Sequence, residues 1–287
     1  MKALGIIIHS NILIALAAFA LILATQVQLG MEPQAHIYLA VIFLATLFDY
    51  NLHRYLTVYN KPEAVKNDKL RWATEHLNTF IVLIILSFGG LVVVLFFVKT
   101  EILYLLVPLA LLSFLYSFPF PGNQKRNFRL LKIPGMKTIL IAFVWTCATV
   151  LVPLFFGDQS FDHLNIILLF AERFTFIFAI AIPFDIRDMQ TDALASLKTI
   201  PIVYGEKTAL KISNIALLLS LCIAAFHYMD AKMIYVLPAY VFSIIITLIL
   251  INNKPLKNKA LYHHGFLDGN ILLHGIMIFA SYYLTLW

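Results

Sequence analysis

Three aspartates stand at helical spacing in one short stretch of the chain. Asp185, Asp188 and Asp192 directly follow an apolar run, and a helix would place positions i, i+3 and i+7 on one face. Three carboxylates on one stripe repel each other, and a divalent cation removes that penalty. Carboxylate oxygens suit Mg²⁺, which keeps several waters and bridges to substrate phosphates. The pattern therefore indicates either a Mg²⁺–phosphate site or a solvated helix end.

The residues after this stretch follow a specific order. Ser196 stands four residues after the third aspartate. The chain then reads Lys-Thr-Ile-Pro from Lys198 to Pro201, and Gly205 stands four residues after that proline. From the first aspartate onward, this run of about twenty residues resembles the second aspartate-rich motif of the UbiA superfamily of membrane prenyltransferases. In that family glycine usually stands at the position of Ser196.

A second stretch supports the same resemblance. The sequence Leu-Tyr-Ser-Phe-Pro from Leu115 to Pro119 is similar to the family's Tyr-Ser-x-Pro segment, with Tyr116 at the tyrosine. The sequence Arg-Leu-Leu-Lys from Arg129 to Lys132 is similar to the Arg-Leu-Lys stretch that follows in the family, although the intervening loop is longer here. The resemblance thus extends over the membrane region, anchored at two places.

The first aspartate motif is where this chain departs from the family. The family pattern is Asn-Asp-x-x-Asp-x-x-x-Asp, and here, aligned on Arg54, Asp49 replaces the asparagine. Tyr50, His53 and Thr57 replace the three aspartates. Asp49 and His53 are four residues apart on a helix and can share a ligand or bond each other. Because nitrogen suits softer metals than Mg²⁺, this stretch predicts one metal-binding carboxylate, Asp49, or a structural pair.

The resemblance implies a fold and an activity. It implies an all-α, multi-pass membrane bundle of about nine helices, forming a single domain over residues 1–287. The implied reaction is the transfer of a polyprenyl group from its diphosphate to an aromatic or other lipophilic acceptor with the help of Mg²⁺. A quinone precursor, a porphyrin-type ring and a glycerol lipid are all open as acceptors. The chain length of the prenyl donor and the oligomeric state are not predicted.

The resemblance also implies which residues form the site. Mg²⁺ and basic side chains would neutralise the departing diphosphate, and aromatic faces would stabilise the developing allylic cation. The basic residues of this predicted site also fit a second role, as cytoplasmic charges that set the orientation of the spans. The predicted catalytic residues are Asp185, Asp188, Asp192 and Tyr116; the predicted substrate-binding residues are Asp49, Asn51, His53, Arg54, Arg129, Lys132 and Lys198; the predicted metal ligands are Asp185, Asp188, Asp192 and Asp49.

The composition independently places the chain in a membrane. Hydrophobic residues make up 61% of it and charged residues only 13%, against roughly a quarter charged in soluble domains. Apolar runs of about 20 residues are long enough to cross a bilayer. Such runs predict nine spans: 4–24, 36–56, 78–98, 101–120, 137–157, 163–184, 209–229, 232–251 and 265–286.

The positive charge predicts the orientation of these spans. Lys2 and 17 loop residues, 18 of the 21 Lys and Arg residues in all, lie on one side; Lys99 and Lys232 lie on the other, and Arg173 lies within a span. Lys and Arg gather on the cytoplasmic side of membrane proteins. The N-terminus and the active site are therefore predicted inside and the C-terminus outside. The net charge of +6 is explained by topology and gives no indication of nucleic-acid binding.

Other polar residues have less specific interpretations. Glu172 and Arg173 precede Asp185 by about 18 Å of helix, and ionisable residues at such depth are functional candidates. A buried structural pair is the equal alternative. His263, His264 and Asp268 open the ninth span, where a capping or interfacial role is favoured. The two cysteines lie within spans and support neither a disulfide framework nor a metal site.

Three functions are compatible with these patterns. An active prenyltransferase is favoured by the intact second motif. A catalytically degenerate homologue that binds a prenyl lipid or a partner is favoured by the altered first motif. A transporter would need broken helices in mid-membrane, for which Pro108, Pro153 and Pro238 give scope, and the second motif argues against it.

Overall fold

The computed structural model describes residues 2–60, 72, 74–117, 133–156, 161–230, 233–257, 259 and 261–283. Within these ranges all regular structure is helical, as predicted. Nine helices of at least 11 residues occur in the described part of the chain. In chain order they are α1 (Ile12–Gln28), α2 (Ile37–Asn60), α3 (Leu77–Leu95), α4 (Thr100–Ser117), α5 (Met136–Thr146), α6 (His163–Arg187), α7 (Glu206–Asp230), α8 (Val236–Asn252) and α9 (Asp268–Tyr283).

Several of these helices suit a bilayer. Four stretches are long and apolar enough to cross it: Leu77–Leu95, Met136–Phe155, His163–Arg187 and Glu206–Met229. Three shorter apolar stretches lie in α1, α4 and α8. Helix α3 buries only Phe80 among its apolar side chains, and lipid is the solvent in which apolar exposure carries no penalty. The count of nine spans remains a prediction.

The first predicted span is divided in two. A short helix, Lys2–His9, precedes α1, and the chain turns at Asn11, whose φ of 63° is left-handed. The Asn11 amide donates to Oδ1 of Asn51 on α2 over 3.0 Å. Asparagine tolerates this backbone conformation better than most residues. The apolar run predicted one continuous helix because hydropathy does not report such a break.

The interior is built around α1 and α6. Helix α1 packs against α2 and α9, and α6 packs against α5 and α7. Fully buried side chains such as Leu21, Phe176, Leu217 and Ile278 belong to one continuous core cluster. Helix α5 continues through a π-helical turn, Cys147–Leu151, and a 3₁₀ turn that contains Pro153. Proline lacks an N–H and ends the regular hydrogen-bond pattern there.

The deep charged residues of α6 join helices together. The Arg173 guanidinium donates to Oε1 of Gln28 over 2.6 Å and to Oγ1 of Thr149 over 3.2 Å. The Glu172 carboxylate accepts from Nε2 of Gln28 over 2.7 Å and from the Tyr228 hydroxyl. Arg173 is 1% exposed and Glu172 fully buried. In this structure the two charges are used for packing between helices, which is the structural alternative raised by the sequence.

Candidate active site

The acidic motif lies where helix α6 ends. Arg187 is the last residue of α6, Asp188 interrupts the helix, and a short helix, Met189–Leu194, follows. The single helix that would place all three carboxylates on one stripe is interrupted at Asp188, and the Asp188 carboxylate pairs with Arg187. Asp185 and Asp192 are instead the pair whose carboxylates converge.

These two carboxylates converge on one cation, Lys137. Its Nζ lies 2.7 Å from Oδ2 of Asp192 and 3.3 Å from Oδ1 of Asp185. The hydroxyl of Thr138 donates to the second oxygen of Asp185. Asp185 is 2% and Asp192 7% exposed. Buried carboxylates need such partners, because burial of an unpaired charge is costly.

Asp188 has a different partner, its neighbour Arg187. Nε and Nη2 of Arg187 donate to the two carboxylate oxygens of Asp188 over 2.7 and 2.8 Å. Nη1 of Arg187 lies 2.8 Å from Nε2 of His264, and Nδ1 of that histidine lies 3.3 Å from Oδ2 of Asp268. The residues that open the ninth predicted span are therefore connected to the acidic motif.

The charged environment alters the acidity of the groups at this end. Burial raises the pKa of Asp192, and Lys137 opposes that effect. Burial would also raise the pKa of Asp188, but the Arg187 guanidinium outweighs it, so this pKa is lowered. Burial, aided by the Arg187 charge, lowers the pKa of His263 to about 4. The His263 ring is therefore neutral at pH 7, and Asp188 remains an anion.

The first motif contributes from α2. Asp49 accepts a hydrogen bond of 2.9 Å from the hydroxyl of Ser113 on α4. Asn51 is fully buried; its amide donates to the carbonyl of Leu47 over 2.7 Å and its oxygen accepts from Asn11. In this structure Asn51 therefore connects helices, and its contact with substrate stays a prediction.

His53 and Arg54 face the acidic motif from α2. The His53 side chain is exposed and lies within electrostatic range of Lys137, Arg187 and Asp188. Arg54 interacts electrostatically with Arg187, Asp188 and Asp268. Its buried Nε has no hydrogen-bond partner among the described residues. An unsatisfied cationic donor beside a second guanidinium is costly unless an anion binds there.

Four predicted residues remain: Tyr116, Arg129, Lys132 and Lys198. Lys198 is exposed, and its carbonyl accepts from the N–H of Gly135 over 2.9 Å. Tyr116 belongs to the last turn of α4. Arg129 and Lys132 lie outside the described residues.

Lys137 and Arg187, which contact the three aspartates, were not predicted as site residues. Lys137 was counted only as one of the loop cations that set the topology. Arg187 likewise belongs to those loop cations and stands between the first two aspartates of the motif. The available signal was position: Lys137 opens an apolar run after a glycine, and Arg187 lies inside the acidic motif. Neither position by itself indicates which carboxylate a cation will meet.

The predicted Mg²⁺ site is not assembled by these side chains. In the part of the chain that the structure describes, no three His, Cys, Asp or Glu side chains gather into a metal-binding group. Lys137 joins Asp185 to Asp192, Arg187 neutralises Asp188, and Asp49 bonds Ser113. The carboxylates as arranged here therefore do not fit a Mg²⁺ ion.

Comparison with known proteins identifies the class to which this fold and site belong. The model of the UbiA prenyltransferase family matches residues 73–267. The chain belongs to that family. No curated protein matches the sequence. Membership and the apolar helices establish an integral membrane protein with a prenyltransferase-type function.

Solved structures show the same fold. A UbiA homologue from Archaeoglobus fulgidus bound to GPP and Mg²⁺ has a TM-score of 0.60 at 17% identity, with 95% of this chain and 99% of that chain covered. A UbiA homologue from Aeropyrum pernix K1 has a TM-score of 0.59 at 13% identity, with 97% and 98% covered. A digeranylgeranylglyceryl phosphate synthase has a TM-score of 0.56 at 17% identity, with 98% and 99% covered.

Proposed function

We propose that the chain binds a polyprenyl diphosphate beside the acidic motif and transfers its prenyl group to a lipophilic acceptor. The observation that carries the proposal is the set of cations that face this motif. Arg54 comes from α2, Lys137 from α5 and Arg187 from the end of α6. The buried Nε of Arg54 lacks a partner among the described side chains.

The chemistry of a prenyl diphosphate suits such a set. Breaking the bond between the allylic carbon and oxygen leaves two electrons on the diphosphate, whose charge must be neutralised. Fixed cationic donors stabilise that charge without reorganising at the moment of reaction. Arg54 and Arg187 are the donors that we assign to this task, with Arg129, Lys132 and Lys198 as further cations predicted from the sequence. The apolar helices supply a solvent for the hydrocarbon tail.

The acidic residues hold these cations in place. Asp188 fixes the Arg187 guanidinium through two hydrogen bonds, and Asp185 and Asp192 fix Lys137. Tyr116 is the aromatic residue that we assign to the developing allylic cation. Asp49 and Asn51 order the first motif. Mg²⁺ dependence remains a prediction from the sequence.

The proposal is tested by measuring GPP binding and formation of a prenylated product with purified protein in nanodiscs. Calorimetry with GPP, with and without Mg²⁺, should give saturable binding that Asp188→Asn weakens at least about tenfold, because a charge-assisted bidentate contact is lost. Glu101→Gln is the control, since Glu101 is an exposed acid in the first turn of α4. It should bind as the wild type does.

Turnover separates the proposed activity from its alternative. Mass spectrometry should find a prenylated product when the protein is given a donor and an acceptor from one of the three classes named above. The absence of diphosphate binding at every pH and Mg²⁺ concentration would contradict the proposal and favour a homologue without catalytic activity.

A further inference from the structure

Lys137 occupies the point on which two buried carboxylates converge. One oxygen each from Asp185 and Asp192 lies within 3.3 and 2.7 Å of its Nζ. The other oxygen of Asp185 accepts from Thr138. Nearby Arg187 is engaged by both oxygens of Asp188. Lys137 is therefore the cation that neutralises the Asp185–Asp192 pair.

The backbone fixes the position of Lys137 at the start of α5. Gly135, with φ of 75°, precedes α5, and its N–H donates to the carbonyl of Lys198 over 2.9 Å. A Cβ on Gly135 would lie 3.1 Å from Cγ1 of Ile200. The start of α5 is thus held against the segment that follows the acidic motif. Lys137, in the first turn of α5, faces the motif because of this contact.

An ammonium group and a divalent ion exclude each other at this position. Mg²⁺ requires oxygen ligands at about 2.0–2.1 Å, so an ion between the two carboxylates would take the place of Nζ. Two buried carboxylates with no cation between them would repel each other. Removal of the lysine charge therefore creates the condition under which these oxygens bind a metal.

We propose that Lys137 is a built-in counter-cation that takes the position of one divalent metal ion between Asp185 and Asp192. The wild-type chain consequently holds no metal at this pair. The lysine charge remains beside the proposed diphosphate site, where its flexible stem allows Nζ to reach an anion. This deepens the proposed function and rests on it only for the identity of that anion.

The test measures metal binding without substrate. Mn²⁺ binding, followed by electron paramagnetic resonance on purified protein, should be at least about tenfold tighter in Lys137→Met than in the wild type. Lys137→Arg keeps the charge and should resemble the wild type. Lys207→Met removes an exposed lysine from α7 and is the matched control. Equal Mn²⁺ affinity in Lys137→Met and the wild type overturns the proposal.

The thermal midpoint is a second readout, which keeps the test valid if Lys137→Met is less stable than the wild type. The thermal midpoint of Lys137→Met should fall, and Mn²⁺ should raise it again, whereas Mn²⁺ should leave the wild type and Lys207→Met unchanged. A lowered midpoint that Mn²⁺ does not restore overturns the proposal. Adding Asp185→Asn and Asp192→Asn to Lys137→Met should abolish the gained Mn²⁺ binding; persistent binding would place the metal elsewhere. GPP is absent from these measurements, so failure of the proposed function would leave their result intact.

Discussion

Gly275 of α9 lies directly against Ala20 of α1. A Cβ built on Gly275 would come within 2.7 Å of the carbonyl carbon of Ala20 and 2.8 Å of its Cβ. Small residues allow the backbones of membrane helices to approach this closely. The contact therefore sets the distance between these two helices, which pack against each other.

Gly275→Ala should lower stability, because the added methyl group meets backbone atoms that cannot move aside. Overpacking of this kind costs about 1–3 kcal/mol, more than the roughly 1 kcal/mol that alanine gains in helix propensity. Gly89→Ala is the control, since nothing lies within 4 Å of its added Cβ. In detergent, the midpoint of thermal unfolding of the control should equal or exceed that of the wild type, and the midpoint of Gly275→Ala should be lower. The reverse order would mean that α1 and α9 can separate freely.

Arg173→Met should be strongly destabilising. The substitution leaves the Glu172 carboxylate buried beside Gln28 without the neighbouring positive charge, and such losses cost about 3–5 kcal/mol. Adding Glu172→Gln should recover part of the loss, because the two residues share one network. Lys211→Met, at an exposed position of α7, should change the thermal midpoint little. Full additivity of the two losses would contradict a shared network.

Ser196→Gly should be neutral or stabilising. Ser196 has φ of 57°, and a left-handed residue with a Cβ costs about 1–2 kcal/mol; the greater flexibility of glycine in the unfolded chain offsets part of the gain. Ser196→Val should destabilise, since a β-branched residue fits this region worst. Ala193→Gly, within the helix Met189–Leu194, should lose about 1 kcal/mol. Equal midpoints for all three variants would argue against strain at Ser196.

Arg187→Lys should weaken diphosphate binding although the charge is kept. Lysine cannot contact both oxygens of Asp188 and Nε2 of His264 at once, because it lacks the planar fork of arginine. A rise of about tenfold in the Kd for GPP is expected from the loss of a bidentate pair. The exposed-site variant Lys211→Arg serves as the comparison. Unchanged affinity in Arg187→Lys would show that charge alone suffices.

The orientation inferred from the lysines and arginines predicts where each chain end lies. A reporter fused after Trp287 should be found outside the cytoplasm, and one inserted at Lys257 should be found inside, because the loop cations remain on the cytoplasmic side. Protease protection in intact cells measures both. A cytoplasmic signal from the Trp287 fusion would contradict an odd number of spans.

Much of the fold followed from the sequence because its cause is local. Helices such as His163–Arg187 and Glu206–Asp230 begin and end near their predicted spans, since every backbone group in a bilayer must bond within its own helix. The motif order also led to the family through residues close together in the chain. Even the glycine expected at Ser196 has a local reason, its positive φ.

The arrangement of charges was decided by the tertiary structure. Lys137 lies 48 positions before Asp185 on a different helix, and only the packing of α5 against α6 brings Nζ within 3.3 Å of that carboxylate. Asp188 likewise pairs with Arg187 and not with Lys137, although helical spacing placed its carboxylate on one face with Asp185 and Asp192. Periodicity describes one helix at a time, whereas the partner of a buried charge depends on which helices touch and where each one ends.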